Sequence, residues 1–298
     1  MKIVITGGSG KLAEYLAPTL AQEHAIMLYD RQHPQHNQFS WMQGEITDRS
    51  KLSEAFRGAE VVIHLAALRS RYNHLPMNVM ETNALGTFCV LDAALSKGVD
   101  KLLFSSSDAV LGIAQSVTDL SPEYLPINEN HPLKPQDPYG ISKMLGEEMC
   151  SLYTEGYDRN IIALRFSSIF CPGDEQIYLA DTKDPSVRRK SLWAWVHVDD
   201  AVHAIQRALA SNIRGYEVFH IAAEDVCLLN QNVRHLLSTY FPKTKIRRSL
   251  SGKESLIDCS KAKHMLGFRL RRKFAEVVTS EGSEHSSKNY EPTSTLKS

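Results

Sequence analysis

The segment Thr6-Gly7-Gly8-Ser9-Gly10-Lys11-Leu12-Ala13 constrains this chain more than any other part of it. It joins a short apolar run, Lys2–Thr6, to an amphipathic helical pattern over residues 12–23. A strand that stops on glycines and restarts as a helix admits torsions and backbone approaches that side chains block. Free amides at the helix start, with the positive end of its dipole, then form a cradle for a pyrophosphate. Gly7, Ser9, Gly10, Lys11 and Leu12 are the candidates for that cradle. Asp30 follows the next apolar run, 25–29, and lies 20 residues beyond Gly10. A carboxylate there accepts hydrogen bonds from adenosine ribose hydroxyls and repels a 2′-phosphate, so NAD is favoured over NADP. Arg31 alongside pulls the other way, because a guanidinium can pair with the extra phosphate.

The same alternation continues. Residues 51–57 read as a helix, 60–67 as a continuous apolar strand of the buried parallel type, and 80–96 as a long amphipathic helix. A strand at 101–105, a helix at 139–156 and a strand at Asn160–Phe166 follow. This β-α-β-α order predicts an α/β fold, a doubly wound parallel sheet with helices on both faces. Later segments read as a helix at 199–211, a strand at 218–222 and a helix at 229–240. Residues 117–138 and 171–191 are proline-rich or charged and read as ordered surface loops. Residues 279–298 are rich in Ser, Thr and Glu, with almost nothing apolar to offset their ordering entropy, and read as a disordered tail. The expected division is a dinucleotide-binding core over 1–166, a mixed region over 167–278 and that tail.

Tyr139-Gly140-Ile141-Ser142-Lys143 opens the helix expected at 139–156. Spacing of i and i+4 puts the phenol and the ammonium on one face. A phenol titrates near 10 and is a poor base at neutral pH; a neighbouring cation lowers that value. Tyr139 can then take a proton from a substrate hydroxyl. Support comes from Phe104-Ser105-Ser106-Ser107-Asp108 at the carboxyl end of a parallel strand, the edge where open α/β sheets bind ligands. A hydroxyl there can orient the substrate oxygen.

Composition excludes several classes. Lys+Arg and Asp+Glu are both 34 among 298 residues, so the formal net charge is zero and no uniformly basic surface exists to grip nucleic acid or an anionic membrane. Mean hydropathy is −0.27, and no apolar stretch approaches the roughly 18 residues of a membrane span. The strand-like run begins at Lys2, leaving no room for a signal peptide, so a cytoplasmic location is expected. Five scattered cysteines form no Cys-x-x-Cys pair and read as free buried thiols; no metal site is expected.

Taken together, these residues resemble the extended short-chain dehydrogenase/reductase family, in its NAD-dependent epimerase/dehydratase branch, over roughly residues 1–276. The resemblance implies a Rossmann-type sheet with a small C-terminal substrate-binding region. Ala13 stands where a third glycine is usual. Glu45-Ile46 is similar to the pair bracketing the adenine, and Leu65-Ala66-Ala67 after His64 to the segment lining the cofactor. Arg69 and Asn83 match further cofactor-side positions. Tyr139 and Lys143 match the catalytic Tyr-x-x-x-Lys, and Ser107 the catalytic Ser/Thr. Trp195-Val196-His197-Val198-Asp199-Asp200 and Asp258-Cys259-Ser260-Lys261-Ala262 resemble two late signatures.

Departures bear on the substrate. Ala109 replaces the glutamate of the 4,6-dehydratases, which disfavours dehydration. Ser168 stands in place of an asparagine, Trp193 near the place of a diphosphate-holding arginine, and 171–192 is short. A smaller carbohydrate or another secondary alcohol fits better. Ser107, Asp108, Ser168 and Arg188 are the candidate substrate contacts, with Arg188-Arg189-Lys190 able to pair with an anionic substituent. His197 reads as structural. The expected activity is a dehydrogenase acting on a secondary hydroxyl. The alternatives are a sugar or nucleotide-sugar epimerase with retained cofactor, and a non-catalytic dinucleotide sensor. The resemblance also implies a homodimer formed by the helices at 80–96 and 139–156.

Overall fold

The computed structural model describes residues 1–35, 38–69 and 74–284, with side chains to residue 279. Among the described residues eleven strands form: β1 Lys2–Thr6, β2 Ala25–Asp30, β3 Ser40–Gln43, β4 Val61–His64, β5 Lys101–Ser107, β6 Tyr124–Leu125, β7 Asn160–Phe166, β8 Ser168–Phe170, β9 Trp195–His197, β10 Tyr216–Ile221 and β11 Lys245–Ile246. Seven make one parallel sheet in the order β10-β7-β5-β4-β1-β2-β3. The doubly wound expectation therefore holds. The chain runs outward from β1 to β3, then crosses back to β4, so the order reverses between β1 and β4. Ligands of open α/β sheets bind at such a switch, beyond the carboxyl ends of the strands.

Ten α-helices accompany the strands among the described residues: α1 Lys11–Leu20, α2 Arg49–Ala55, α3 Pro76–Met80, α4 Gly86–Ser96, α5 Pro138–Tyr157, α6 Glu175–Asp181, α7 Val198–Ala210, α8 Val233–Tyr240, α9 Ser260–Leu266 and α10 Phe274–Glu284. Alternate strand residues feed opposite faces of the sheet. Ile3, Ile5, Ile162 and Leu164 meet Leu16 and Leu20 of α1 and Val202 and Ile205 of α7 on one face. Val4, Ile161 and Ala163 meet Leu52 of α2, Val90 of α4 and Cys150 of α5 on the other. A third core, built on Phe170, Trp193, Trp195, Leu256 and Phe274, holds the C-terminal region together.

Several boundaries differ from the sequence reading, each for a local reason. The strand expected over 60–67 ends at His64, because Leu65–Ala67 leave the sheet to wall the cavity described below. The helix expected at 80–96 begins earlier and contains a π turn, Glu81–Leu85, between α3 and α4. The loop at 171–191 contains α6 and a 3-10 segment, Pro185–Ser191. The expected tail starts inside α10, whose Phe274, Val277 and Val278 are buried against the third core; 285–298 lie outside the described residues.

Candidate active site

One cavity of about 690 Å³ lies at the carboxyl ends of β1, β2, β4, β5 and β7. Its glycine side is tightly built. Gly7 sits at φ +73°, and a Cβ on it would lie 2.6 Å from the Ala66 amide nitrogen. Only glycine allows that approach between the turn and the segment after β4. Gly10 precedes α1, and Ala13 is 1% exposed, so alanine preserves the close contact of helix and strand. Asp30 accepts hydrogen bonds from the Ser9 amide (3.0 Å) and the Gln32 amide (3.0 Å), which fixes its carboxylate at the turn. Lys11, Leu12, Arg31, Glu45, Ile46, Leu65, Ala66, Ala67 and Arg69 line the same cavity. These features fit a dinucleotide: a backbone cradle that a Cβ would fill, with a carboxylate one strand away.

The catalytic candidates come to the other end. Asp137 caps α5, accepting from the Tyr139 (3.0 Å) and Gly140 (3.2 Å) amides, with Pro138 in the first turn. A Cβ at Gly146 would lie 2.5 Å from the Phe104 ring, so α5 lies close on β5. That contact presents Tyr139 and Lys143 to the end of β5, where Ser107 and Asp108 stand; all four line the cavity. Lys143 donates from Nζ to the Ser105 carbonyl at 2.7 Å. Burial lowers its pKa to about 8, against the opposing pull of Cys150 and Glu147. Glu147, one turn further along α5, is itself buried. It takes a bidentate ion pair from Arg165 of β7 (2.8 and 2.7 Å) and a hydrogen bond from Ser106 (2.5 Å).

The phenol departs from expectation. Tyr139 is pushed up to about 12, by burial first and by the Asp108 carboxyl, against the opposing influence of Ser107 and Arg69. Lys143 Nζ lies 5.9 Å from the phenol ring centroid and spends its hydrogen bond on Ser105, so it does not outweigh desolvation.

Two other candidates are placed elsewhere. Asn83, in the π turn, does not line the cavity: it accepts from the Leu68 amide (2.8 Å) and donates to the Leu68 carbonyl and Ser142 Oγ (3.0 Å each). It positions the cofactor-side segment, and its neighbour Thr82 reaches the cavity instead. A π turn re-aims successive side chains in this way. Arg188 is paired with Asp181 at 2.8 Å and lies 3.7 Å over the Tyr178 ring, away from the cavity. Arg189 pairs with Asp119 and Lys190 donates to the Ser116 carbonyl, so this basic run straps loops together. His197 is buried and caps α7, accepting from the Asp199 amide, as its structural reading expects.

Ser168 does line the cavity, together with Ser167, Gln115, Cys171, Asp174 and Ser191, which sequence reasoning missed. Ser167 follows β7 directly, so the rule that ligands sit at strand carboxyl ends would have found it. Burial raises the Cys171 thiol to about 11, leaving it unreactive. Lys11 and Asp174 form an ion pair at 3.6 Å between the start of α1 and the residue preceding α6. Trp193, beside the expected position of a diphosphate-binding arginine, has no exposed surface and donates to the Pro185 carbonyl.

The NAD dependent epimerase/dehydratase family matches residues 3–222. A Methanocaldococcus jannaschii protein provisionally named a UDP-glucose 4-epimerase is 33% identical over 179 residues, covering 56% of each chain. The chain thus spans about half the length of that relative. An L-arabinose 1-dehydrogenase (NAD(P)(+)) of Haloferax volcanii is 26% identical over 217 residues, 71% of this chain and 84% of its own. The structure of a mutated uronate dehydrogenase superposes with a TM-score of 0.69 at 21% identity, covering 98% of this chain and 89% of that one, a likeness of fold.

Proposed function

This chain belongs to the NAD dependent epimerase/dehydratase family, and from that premise we propose that it is an NAD-dependent oxidoreductase acting on a secondary hydroxyl of a carbohydrate-like substrate. The observation that carries the reading is a single cavity walled by both the glycine turn and the Ser107, Tyr139 and Lys143 set. When bound, the dinucleotide supplies a nicotinamide that accepts a hydride from the carbinol carbon. Asp30 holds the adenosine ribose, and the amides around Ser9, Gly10 and Leu12 face the pyrophosphate. Ser107 orients the substrate oxygen and Tyr139 moves its proton. Lys143, on the same face of α5, completes the polar wall.

Two side chains support the dehydrogenase over a nucleotide-sugar epimerase. Trp193 is wholly buried, and Arg188 is committed to Asp181 and Tyr178, so neither offers a charge to a nucleotide diphosphate. A screen of sugars and sugar acids with NAD tests the proposal: NADH accumulates with a stoichiometric oxidised product. Tyr139→Phe abolishes turnover and leaves NAD affinity within a few-fold. Inversion of a substrate without net NADH would favour the epimerase, and clear NAD binding with no turnover the sensor.

No described helix is long and apolar enough to cross a membrane, and all five cysteines are free and buried; the reading places the protein in the cytoplasm. It also assigns a second copy as partner. Leu85 and Phe88 at α4 and Leu145 and Leu152 on α5 are exposed apolar side chains on neighbouring helices, and Leu152→Glu should convert a dimer to monomer in sedimentation.

A further inference from the structure

We propose that Glu147 is a positioning residue for the site: through the Ser106 hydroxyl and the Arg165 guanidinium it fixes the carboxyl end of β5 against α5, and so sets Ser107 in register with Tyr139 and Lys143. This rests on the oxidoreductase reading above and adds which buried group holds the geometry that reading needs.

Three elements meet at this carboxylate. Ser106 and Arg165 are direct partners in the pairing of β5 with β7. Residues in register on neighbouring strands project from the same face of a sheet, and both of these reach Glu147 on α5. Glu147 Oε1 accepts from Ser106 Oγ at 2.5 Å and from Arg165 Nε at 2.8 Å, and its Oε2 from Arg165 Nη2 at 2.7 Å. Arg165 Nη1 also donates to the Glu129 carbonyl at 3.4 Å. All three side chains of the cluster are buried.

Its place in the chain ties the cluster to the site. Ser106 lies between Ser107 and Ser105, whose carbonyl accepts from Lys143 Nζ at 2.7 Å. Glu147 lies four residues beyond Lys143, on the same face of α5. Strand and helix are therefore joined at successive residues, by Lys143 to Ser105 and by Glu147 to Ser106. Ser105, Ser106, Ser107, Tyr139 and Lys143 line the cavity, whereas Glu147 and Arg165 do not. These two act through the residues they hold.

Apolar packing cannot do the same. The contact of Gly146 with the Phe104 ring sets how close α5 comes to β5, yet it has no preferred direction along the strand. Hydrogen bonds weaken steeply when stretched or bent, so two of them resist a slide of the helix. A buried ion pair adds little stability over apolar residues of similar volume. A misplacement of about 1 Å between reacting groups, by contrast, costs about a hundredfold in rate.

The test uses the full chain and three variants. Glu147→Leu with Arg165→Met removes both charges and the acceptor for Ser106. Glu147→Gln with Arg165→Met removes both charges and keeps an acceptor oxygen. Ser106→Ala removes the donor and keeps the ion pair. Each is measured for urea stability, NAD affinity, kcat and KM. In cofactor-free protein, amide hydrogen exchange is followed over residues 104–108. The leucine–methionine variant should lose about a hundredfold in kcat, with KM and NAD affinity within a few-fold. Its exchange at 104–108 should quicken beyond any change in urea stability. The glutamine–methionine variant should regain at least about tenfold of that loss and restore slow exchange. Ser106→Ala should follow the leucine–methionine variant in both readouts. Turnover that merely tracks urea stability across the three, or Ser106→Ala with wild-type kcat and exchange, would overturn the proposal. The exchange comparison needs no substrate, so it decides the positioning role even where no sugar yields NADH, the outcome that would sink the oxidoreductase reading instead.

Discussion

Replacing Arg165 by methionine tests how α5 is held to the sheet. Arg165 and Glu147 are 4% and 6% exposed at their side chains, and their two hydrogen bonds measure 2.8 and 2.7 Å. The substitution leaves the Glu147 carboxylate buried with only Ser106 as donor. Breaking a buried pair from one side costs about 3–5 kcal/mol, because a charge is left without compensation. Adding Glu147→Leu removes that charge, and hydrophobic replacement of both partners is often near neutral. The double variant should therefore recover at least about half of the single variant's loss. Urea unfolding followed by tryptophan fluorescence reads both, with an unchanged m-value as the control. A single variant within about 1 kcal/mol of wild type, or a double variant with the simple sum of two losses, would refute the reasoning.

Three more expectations follow from the site. Gly7→Ala places a Cβ 2.6 Å from the Ala66 amide at φ +73°; it should cost at least about 1–2 kcal/mol in a thermal melt and weaken NAD binding in a titration. Asn83→Ala leaves the Leu68 amide and carbonyl without their side-chain partner. At about 1–3 kcal/mol for each buried group left unpaired, it should lower the melting temperature and loosen exchange protection around Leu68. Asp108 titrates near 7 when folded and near 3.8 as an ordinary carboxyl. The folded chain binds more protons between those values, so this group's contribution is fully present below 3.8 and is lost as pH rises through 7. Asp108→Asn should therefore gain stability over wild type as pH rises across that interval, measured by urea midpoints.

The sheet was legible where burial leaves a continuous apolar run. Lys2–Thr6 and Asn160–Phe166 are found at their expected bounds, because their apolar runs, Ile3–Ile5 and Ile161–Leu164, feed both faces of the sheet. β3, with the sequence Ser40-Trp41-Met42-Gln43, lies on the sheet edge and carries no such run. The two-residue strands β6 and β11 exist only through pairing with each other. The glycine turn, Asp30 and the Tyr139–Lys143 spacing were readable because their chemistry depends on local sequence. Arg188 was not, since Asp181 and the Tyr178 ring that occupy it come together only when α6 forms beside it. The elevated phenol was hidden for the same reason: i, i+4 spacing fixes a face of the helix, while the desolvation that governs Tyr139 is set by everything folded around it.

The bridge between Lys11 and Asp174 has its side chains 42% and 29% exposed. Such contacts contribute only about 0–1 kcal/mol, so even at the upper figure roughly one molecule in six has it broken at any moment. A fastening that weak does not govern how long a visitor stays. On the function proposed above, coenzyme residence belongs to the groove's amides and the Asp30 carboxylate, and raising ionic strength should leave its departure rate almost untouched.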